Sequence, residues 1–252
     1  MFKKIATFLA AAALMLGVSA PAMAATYFGN DELIQIVYNT AGGTEVATDL
    51  GSINGSTFTA NGSPSFLGSG GTIGAGGVIS GGNFAGTNVS SLNVVYLAMD
   101  TNDTNNPLYF SSSSATAPTV QDGGAWGNTN SVLQAFYAGK GTQQVVVSTA
   151  NALSYSMSLG GVNAGTFVGL LNPPSAESSL AALASGSAVV QKLYYFADTT
   201  TFGATAQDLQ LSISTNTDGT AGVVAATPIP PSFLLMGSGL LGMVGIRRKF
   251  TA

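Results

Sequence analysis

The sequence predicts an all-β domain, an antiparallel β-sandwich or barrel-like fold with one or two short helices, set between an N-terminal signal peptide and a C-terminal transmembrane helix. Three observations predict it. Runs of β-branched and aromatic residues of strand length recur along the body, bounded by Gly, Asn, Asp or Pro. Only 7% of residues are charged, well under the ~25% of an ordinary domain, and Ser, Thr, Asn and Gly supply the polarity instead. Long uncharged apolar stretches lie at both ends, each beside basic residues.

The first of these stretches reads as a signal peptide over residues 1–24. Lys3 and Lys4 precede the apolar run from Ile5 to Val18, and Pro21-Ala22-Met23-Ala24 forms a small-x-small site. Signal peptidase would cut between Ala24 and Ala25. A β-rich extracytoplasmic domain is expected over 25–220, opening with a hairpin whose strands are Leu33–Tyr38 and Thr44–Leu50, joined by Asn39-Thr-Ala-Gly-Gly43. Residues Gly51–Gly86 are dominated by Gly, Ser, Asn and Thr and read as a long flexible loop with short strands. Phe58, Phe66, Ile73, Val78, Ile79 and Phe84 recur often enough there for part of it to pack. This glycine-rich stretch fits neither G-x-G-x-x-G nor G-x-x-x-x-G-K-[ST], so it is no phosphate cradle.

Leu92–Met99 is a strand, and Leu108–Ser111 is its partner across an Asx-rich turn. Ser131–Ala138 has helical spacing at Val132, Ala135 and Phe136, with Ser131 placed to cap it. Gln143–Thr149 reads as a strand. Ala152–Leu159 alternates Leu153, Tyr155, Met157 and Leu159 with polar residues, which argues for another strand with one buried face. Ser175–Ala184 is rich in Ala and Leu and reads as a short helix. Ser187–Asp198 and Leu209–Ser214 are strands, and a polar linker follows over 221–228. About eight strands without a fixed-period repeat favour a sandwich or barrel over a β-helix.

Composition excludes whole classes of chemistry. With no His and no Cys, the chain has no Ser-His-Asp, Cys-His or His-metal site and no thiol nucleophile. Five of the seven basic residues lie in the terminal segments, leaving Lys140 and Lys192 against all eleven acidic residues, a net charge of −9 for the body. Such a surface repels nucleic acid, which is not expected as a partner. Glu32, Glu45, Glu177 and eight Asp could in principle supply a glycosidase pair, but no spacing selects one, and most sit beside turn residues where they would cap backbone. No cofactor is expected. The one candidate metal site is for Ca²⁺ at Asp100, Asn102 and Asp103, whose oxygen spacing suits that ion but which lacks the EF-hand Gly and Glu. Trp126, between Gly-rich neighbours, is the candidate sugar-stacking residue. Asn54, Asn61, Asn88 and Asn102 match the N-x-[ST] acceptor pattern, as an Asn- and Ser-rich chain does by chance.

The C-terminal stretch organises the rest. Residues 229–246 are uncharged and would span roughly 27 Å as a helix, close to the ~30 Å of a bilayer core. Arg247, Arg248 and Lys249 then mark the cytoplasmic end. The preface Pro228-Ile229-Pro230-Pro231, the glycines Gly237, Gly239 and Gly242, and the basic triplet together resemble the PEP-CTERM sorting signal of Gram-negative bacteria. The resemblance is confined to residues 228–252, and Ile229 stands where the family's Val-Pro-Glu-Pro core has an acidic residue. It implies a transient inner-membrane anchor over 229–252, cleavage by an exosortase-like enzyme, and release to the cell surface or extracellular matrix, among exopolysaccharide and biofilm material.

The expectation is therefore an exported, non-enzymatic structural or adhesion protein that self-assembles or contacts exopolysaccharide. A secreted carbohydrate-binding module is the alternative, and a carboxylate-dependent secreted enzyme the third reading. Strands this poor in charge lack the edge residues that normally block strand addition, which motivates self-assembly.

Overall fold

The computed structural model describes residues 27–99, 103, 105, 107–120, 126–158, 171, 172, 175–199 and 201–225. The signal peptide, its cleavage site at Ala22, Ala24 and Ala25, and the whole sorting signal from Pro228 onward lie outside the described residues. Among the described residues, no helix is long and apolar enough to cross a membrane.

The architecture is mostly antiparallel β. Strands β1 (Glu32–Asn39), β2 (Thr44–Asn54), β3 (Thr57–Ala60), β4 (Thr72–Ile73), β5 (Ile79–Ser80), β6 (Leu92–Met99), β7 (Leu108–Ser112) and β8 (Thr119–Val120) precede helix α1 (Trp126–Ala138). Then come β9 (Gln144–Ser148), α2 (Tyr155–Ser158), β10 (Leu171–Asn172), β11 (Ser178–Ser179), β12 (Val189–Phe196), β13 (Gln207–Thr215) and β14 (Ala221–Ala225). Ten strands share one sheet in the order β14-β13-β12-β7-β6-β1-β2-β3, with β11 added to β6 and β9 to β2. The sheet curls until its edges approach. β3 and β14 flank a groove of about 260 Å³ lined by Leu50, Phe58, Ala60 and Ala221–Val223. One end of this seam is tied by Ser65 Oγ donating to Asp218 O at 2.7 Å and Phe66 N to Gly219 O at 3.0 Å. The result is a nearly closed, barrel-like sheet.

Strands at the middle of this sheet are buried on both faces, which explains why they read as near-continuous apolar runs. In β1, Leu33 and Val37 point into the barrel, while Ile34, Ile36 and Tyr38 point outward beneath α1 and α2. β6 splits the same way, with Val94, Tyr96 and Ala98 inside and Val95 and Leu97 outside. The lumen holds one apolar cluster; the second lies between the outer face and the helical layer, where Phe110 stacks on Phe196 with ring centroids 5.1 Å apart.

Five expectations are corrected or sharpened. Residues 51–86 are not a flexible loop throughout: Phe66, Ile79 and Phe84, among those expected to pack, are fully buried with Leu67 as a plug over one end of the lumen. Glycine permits this close approach: a Cβ on Gly82 would stand 1.9 Å from the Leu67 carbonyl oxygen. Ala152–Leu159 is not a strand. Its alternating Leu153 and Met157 are 43% and 60% exposed, and residues 155–158 form the short helix α2 instead. Ser175–Ala184 divides into β11 and a 3₁₀ turn over Leu180–Ser185, capped by the Ser179 side chain and closed by Gly186 in the left-handed region. The supposed linker at 221–228 begins as β14, because Asn216–Thr220 is a hairpin turn in which Asp218 Oδ1 accepts from Thr220 N at 2.9 Å. Helix α1 also begins five residues before Ser131, which therefore does not cap it.

Candidate functional site

Between the outer face of the sheet and the helices lies a set of carboxylates on neighbouring strands. Glu45 and Asp49 are four residues apart on β2, so both side chains leave the same face of the strand; each is fully buried. Glu45 Oε1 accepts from the Tyr137 hydroxyl of α1 at 2.5 Å and from Tyr155 N at 3.0 Å, and Oε2 accepts from Ser156 N at 2.8 Å. The carboxylate thereby caps the first turn of α2, whose backbone N–H groups have no partner within the helix.

Glu177 closes the other side of the same cluster. Its Oε1 accepts from the Tyr155 hydroxyl at 2.7 Å, and Oε2 accepts from the Tyr38 hydroxyl at 2.6 Å and Asn93 Nδ2 at 3.2 Å. Tyr155 thus spans the two glutamates, its backbone on Glu45 and its hydroxyl on Glu177. Burial, with the adjacent carboxylates second, pushes the Tyr137 and Tyr155 phenols well above their ordinary range. Both rings are neutral donors at any physiological pH.

A second carboxylate group sits at the start of the domain. Asp49 Oδ2 accepts from Phe28 N at 2.6 Å and Oδ1 from Gly51 N at 2.8 Å, while Glu32 Oε2 accepts from Gly29 N at 2.5 Å. Burial, with the Asp49 side chain second, pushes the Glu32 carboxyl up to about 7.

Inside the barrel the polar groups are uncharged. Gln35 Nε2 donates to the Tyr96 hydroxyl at 2.9 Å, which also pairs with Thr215 Oγ1 at 2.5 Å, joining β1, β6 and β13 across the lumen. Burial pushes the Tyr96 phenol up to about 12.

Asp100 and Asn102 lie outside the described residues; Asp103 is exposed and its Oδ1 accepts from Asn105 N at 2.9 Å, an Asx turn. Among the described residues, no group of three His, Cys, Asp or Glu is placed to hold a metal. Trp126 opens α1, and its side chain lies outside the described residues. Asn54 and Asn61 are exposed near the β2–β3 hairpin, whereas Asn88 is occupied, Nδ2 donating to Gly76 O at 2.9 Å and Oδ1 accepting from Ser90 N at 2.9 Å.

Sequence reasoning placed most carboxylates in turns. That holds for Asp103 and Asp218, while Glu45 and Asp49 lie in the expected strand Thr44–Leu50, and what the sequence did not show is which distant groups they accept from. The available signal was their separation of four in a β-branched run, which puts both on one face.

An open depression of about 510 Å³ is lined by Gly71–Ala75, Leu183, Ala184, Gly186, Thr217 and Asp218, without an aromatic ring. Asp218 there is already engaged by Thr220, whose hydrogen bonds hold its carboxyl below the usual range. What the carboxylates do chemically is accept hydrogen bonds from their own fold. No family model, no curated protein and no solved structure matches the chain.

Proposed function

We propose that this chain is an exported, non-catalytic structural or adhesion protein of the cell surface or extracellular matrix. Its targeting rests on the sequence: a signal peptide over 1–24 and a tail over 228–252 that resembles an exosortase-type sorting signal. The observation that carries the non-catalytic part is the disposition of Glu32, Glu45, Asp49 and Glu177. Each is spent on backbone N–H groups or tyrosine hydroxyls. A glycosidase pair must instead face a cleft with room for a sugar and a water.

Self-assembly of the domain is part of the same proposal. The edge strands β3, Thr57-Phe-Thr-Ala60, and β14, Ala221-Gly-Val-Val-Ala225, carry no charge, and Val224 is 59% exposed on the outer face. Hydroxyl- and amide-rich surfaces of this kind suit contact with polysaccharide or with further copies.

Intact mass spectrometry of the protein recovered from membrane, cell surface and medium tests the targeting. Loss of residues 1–24 together with the apolar tail in the released form is the expected result. A released form that retains Phe233–Ala252 overturns the sorting proposal. Hydrolysis of a glycan by the purified protein, abolished by a single carboxylate substitution that leaves stability unchanged, overturns the non-catalytic one.

A further inference from the structure

Asn followed by Gly occurs twice in the chain, at Asn54-Gly55 and Asn61-Gly62, and both pairs continue into Ser. They bracket the edge strand β3: the first makes the turn of the β2–β3 hairpin, and the second follows the last residue of β3, Ala60. Both asparagines are exposed, and neither side chain has a hydrogen-bond partner among the described residues.

Local sequence gives the two pairs the same chemistry. The covalent chain itself brings an asparagine amide carbon within reach of the next residue's backbone nitrogen, and a glycine there has no Cβ to hinder the approach. The fold separates them at the attacking nitrogen. Gly55 N donates to the Tyr109 hydroxyl at 3.0 Å, on a ring packed against Tyr195 with centroids 4.6 Å apart. Gly62, at φ +90°, has left the sheet, and its N–H has no partner among the described residues. Asn61 stays anchored, its N donating to Leu50 O at 2.8 Å and its O accepting from Gln143 Nε2. That last donor sits on the oxygen that gathers negative charge when the adjoining Gly62 N–H ionises, and a hydrogen bond to a charged form favours it.

We propose that Asn61-Gly62 is a self-modification site, converted by water alone to aspartyl and isoaspartyl forms, while Tyr109 protects Asn54-Gly55. Gly62 N gives up its proton and attacks Asn61 Cγ. The N–Cγ bond forms, the Cγ–Nδ2 bond breaks, and the departing nitrogen takes up that proton and leaves as ammonia. The succinimide ring then adds a water at either carbonyl and opens to aspartate or isoaspartate. The balance is asparagine and water in, an acid and ammonia out.

The product stands at a sensitive place. Gly62 and Ser63 line the groove between β3 and β14, so conversion sets a carboxylate at the rim of a seam whose two strands carry no charge. The isoaspartyl form also lengthens the backbone there by a carbon. Charge beside an exposed edge opposes strand addition. Ageing of the folded protein therefore charges an edge that synthesis leaves neutral.

Incubation of the purified, folded protein at mildly alkaline pH tests this, with proteolytic peptides read by mass for amide-to-acid conversion and by chromatography for isoaspartate. Asn61 should convert on the order of tenfold faster than Asn54, the factor to which the net worth of one hydrogen bond corresponds. In urea, where neither set of contacts survives, the two Asn-Gly-Ser sites should convert at the same rate. Tyr109→Phe keeps the ring and removes the acceptor, and should raise the Asn54 rate toward that of Asn61 while leaving Asn61 unchanged. Equal rates in the folded protein, including none at either site, overturn the proposal. So does a difference that persists in urea, which would place its cause in the flanking residues and not in the fold. An Asn54 rate unmoved by Tyr109→Phe overturns the protection assigned to that hydroxyl.

Discussion

Replacing Glu45 distinguishes a structural carboxylate from a catalytic one. In Glu45→Ala the Tyr137 hydroxyl and Ser156 N lose their acceptor inside the fold, and Tyr155 N keeps only the Tyr137 oxygen at 3.2 Å; all three lose a bond to the carboxylate. A hydrogen bond to a charged group contributes about 1.5–3 kcal/mol, and a stranded buried donor costs about 1–3 kcal/mol. Because the three share one carboxylate, the losses overlap, and the expected total is about 4–5 kcal/mol, a large part of a domain's 5–15 kcal/mol. Glu45→Gln keeps the shape but turns an amide N–H₂ toward groups that are themselves donors, for an expected loss of about 2–3 kcal/mol. Tyr137→Phe removes one donor and leaves both backbone bonds in place, for about 1–2 kcal/mol. Urea unfolding with an unchanged m value reads these directly, and a Glu45→Gln/Tyr137→Phe double-mutant cycle should show positive coupling. Two results would refute the reasoning: a Glu45→Gln midpoint equal to wild type, or Tyr137→Phe costing more than Glu45→Gln.

Gly51 sits at φ +119° beside the bulge in the β1–β2 pairing, at the point where β2 also pairs with β3, and a Cβ there would meet the Thr59 carbonyl oxygen at 2.1 Å. Gly51→Ala should cost about 3 kcal/mol or more through backbone strain and that clash; a melting temperature within a degree of wild type would contradict the close approach. Tyr137 and Tyr155 bind their protons more tightly in the folded than in the unfolded chain, so their contribution is intact below about pH 10 and is lost as pH rises further. In an alkaline titration their tyrosinate absorbance should therefore appear together with cooperative unfolding; ionisation in the folded chain would argue against their burial. Val224→Lys places a charge beside the β14 edge and should abolish concentration-dependent association in sedimentation velocity, whereas unchanged association would remove β14 from the assembly surface.

What could be seen in the sequence was what depends on local pattern. β1, β2, β6, β7, β9, β12 and β13 all fall on β-branched or aromatic runs, and the β1–β2 hairpin lies where Asn39–Gly43 places it. The plug over the lumen was less visible, because Phe66, Leu67, Ile79 and Phe84 are brought together by glycine turns at irregular spacing and show neither a period of two nor of 3.6. α2 was misread for a different reason. Its apolar alternation is real, but Tyr155 N and Ser156 N are captured by Glu45, more than a hundred residues earlier in the chain, and no local window contains that acceptor. The same distance hid the Glu45–Tyr155–Glu177 cluster, whose members lie on a strand, a helical turn and the entry to another strand.

The placement of acidic residues connects the fold to its outer surface. Asp103, Asp208 and Asp218 each accept from a backbone N–H two residues on, so they fix turns; Glu32, Glu45, Asp49 and Glu177 fix contacts between distant segments. Of these seven, only Asp208 pairs with a lysine. Carboxylates used as internal acceptors need no cations, which is how a body with two lysines can carry eleven acids and still fold. The consequence falls on the sheet edges. Charged residues that would ordinarily guard them are absent from β3 and β14, so the protection has to come from shape. Curling the sheet until these two strands face each other supplies part of it, because the pair shares one narrow seam instead of presenting two open edges. On the proposed self-assembly, the narrow seam is what keeps β3 and β14 from pairing with other copies. Widening it, for instance by breaking the Ser65–Asp218 and Phe66–Gly219 bonds that tie one end, should shift the balance from closed barrel toward strand exchange between copies.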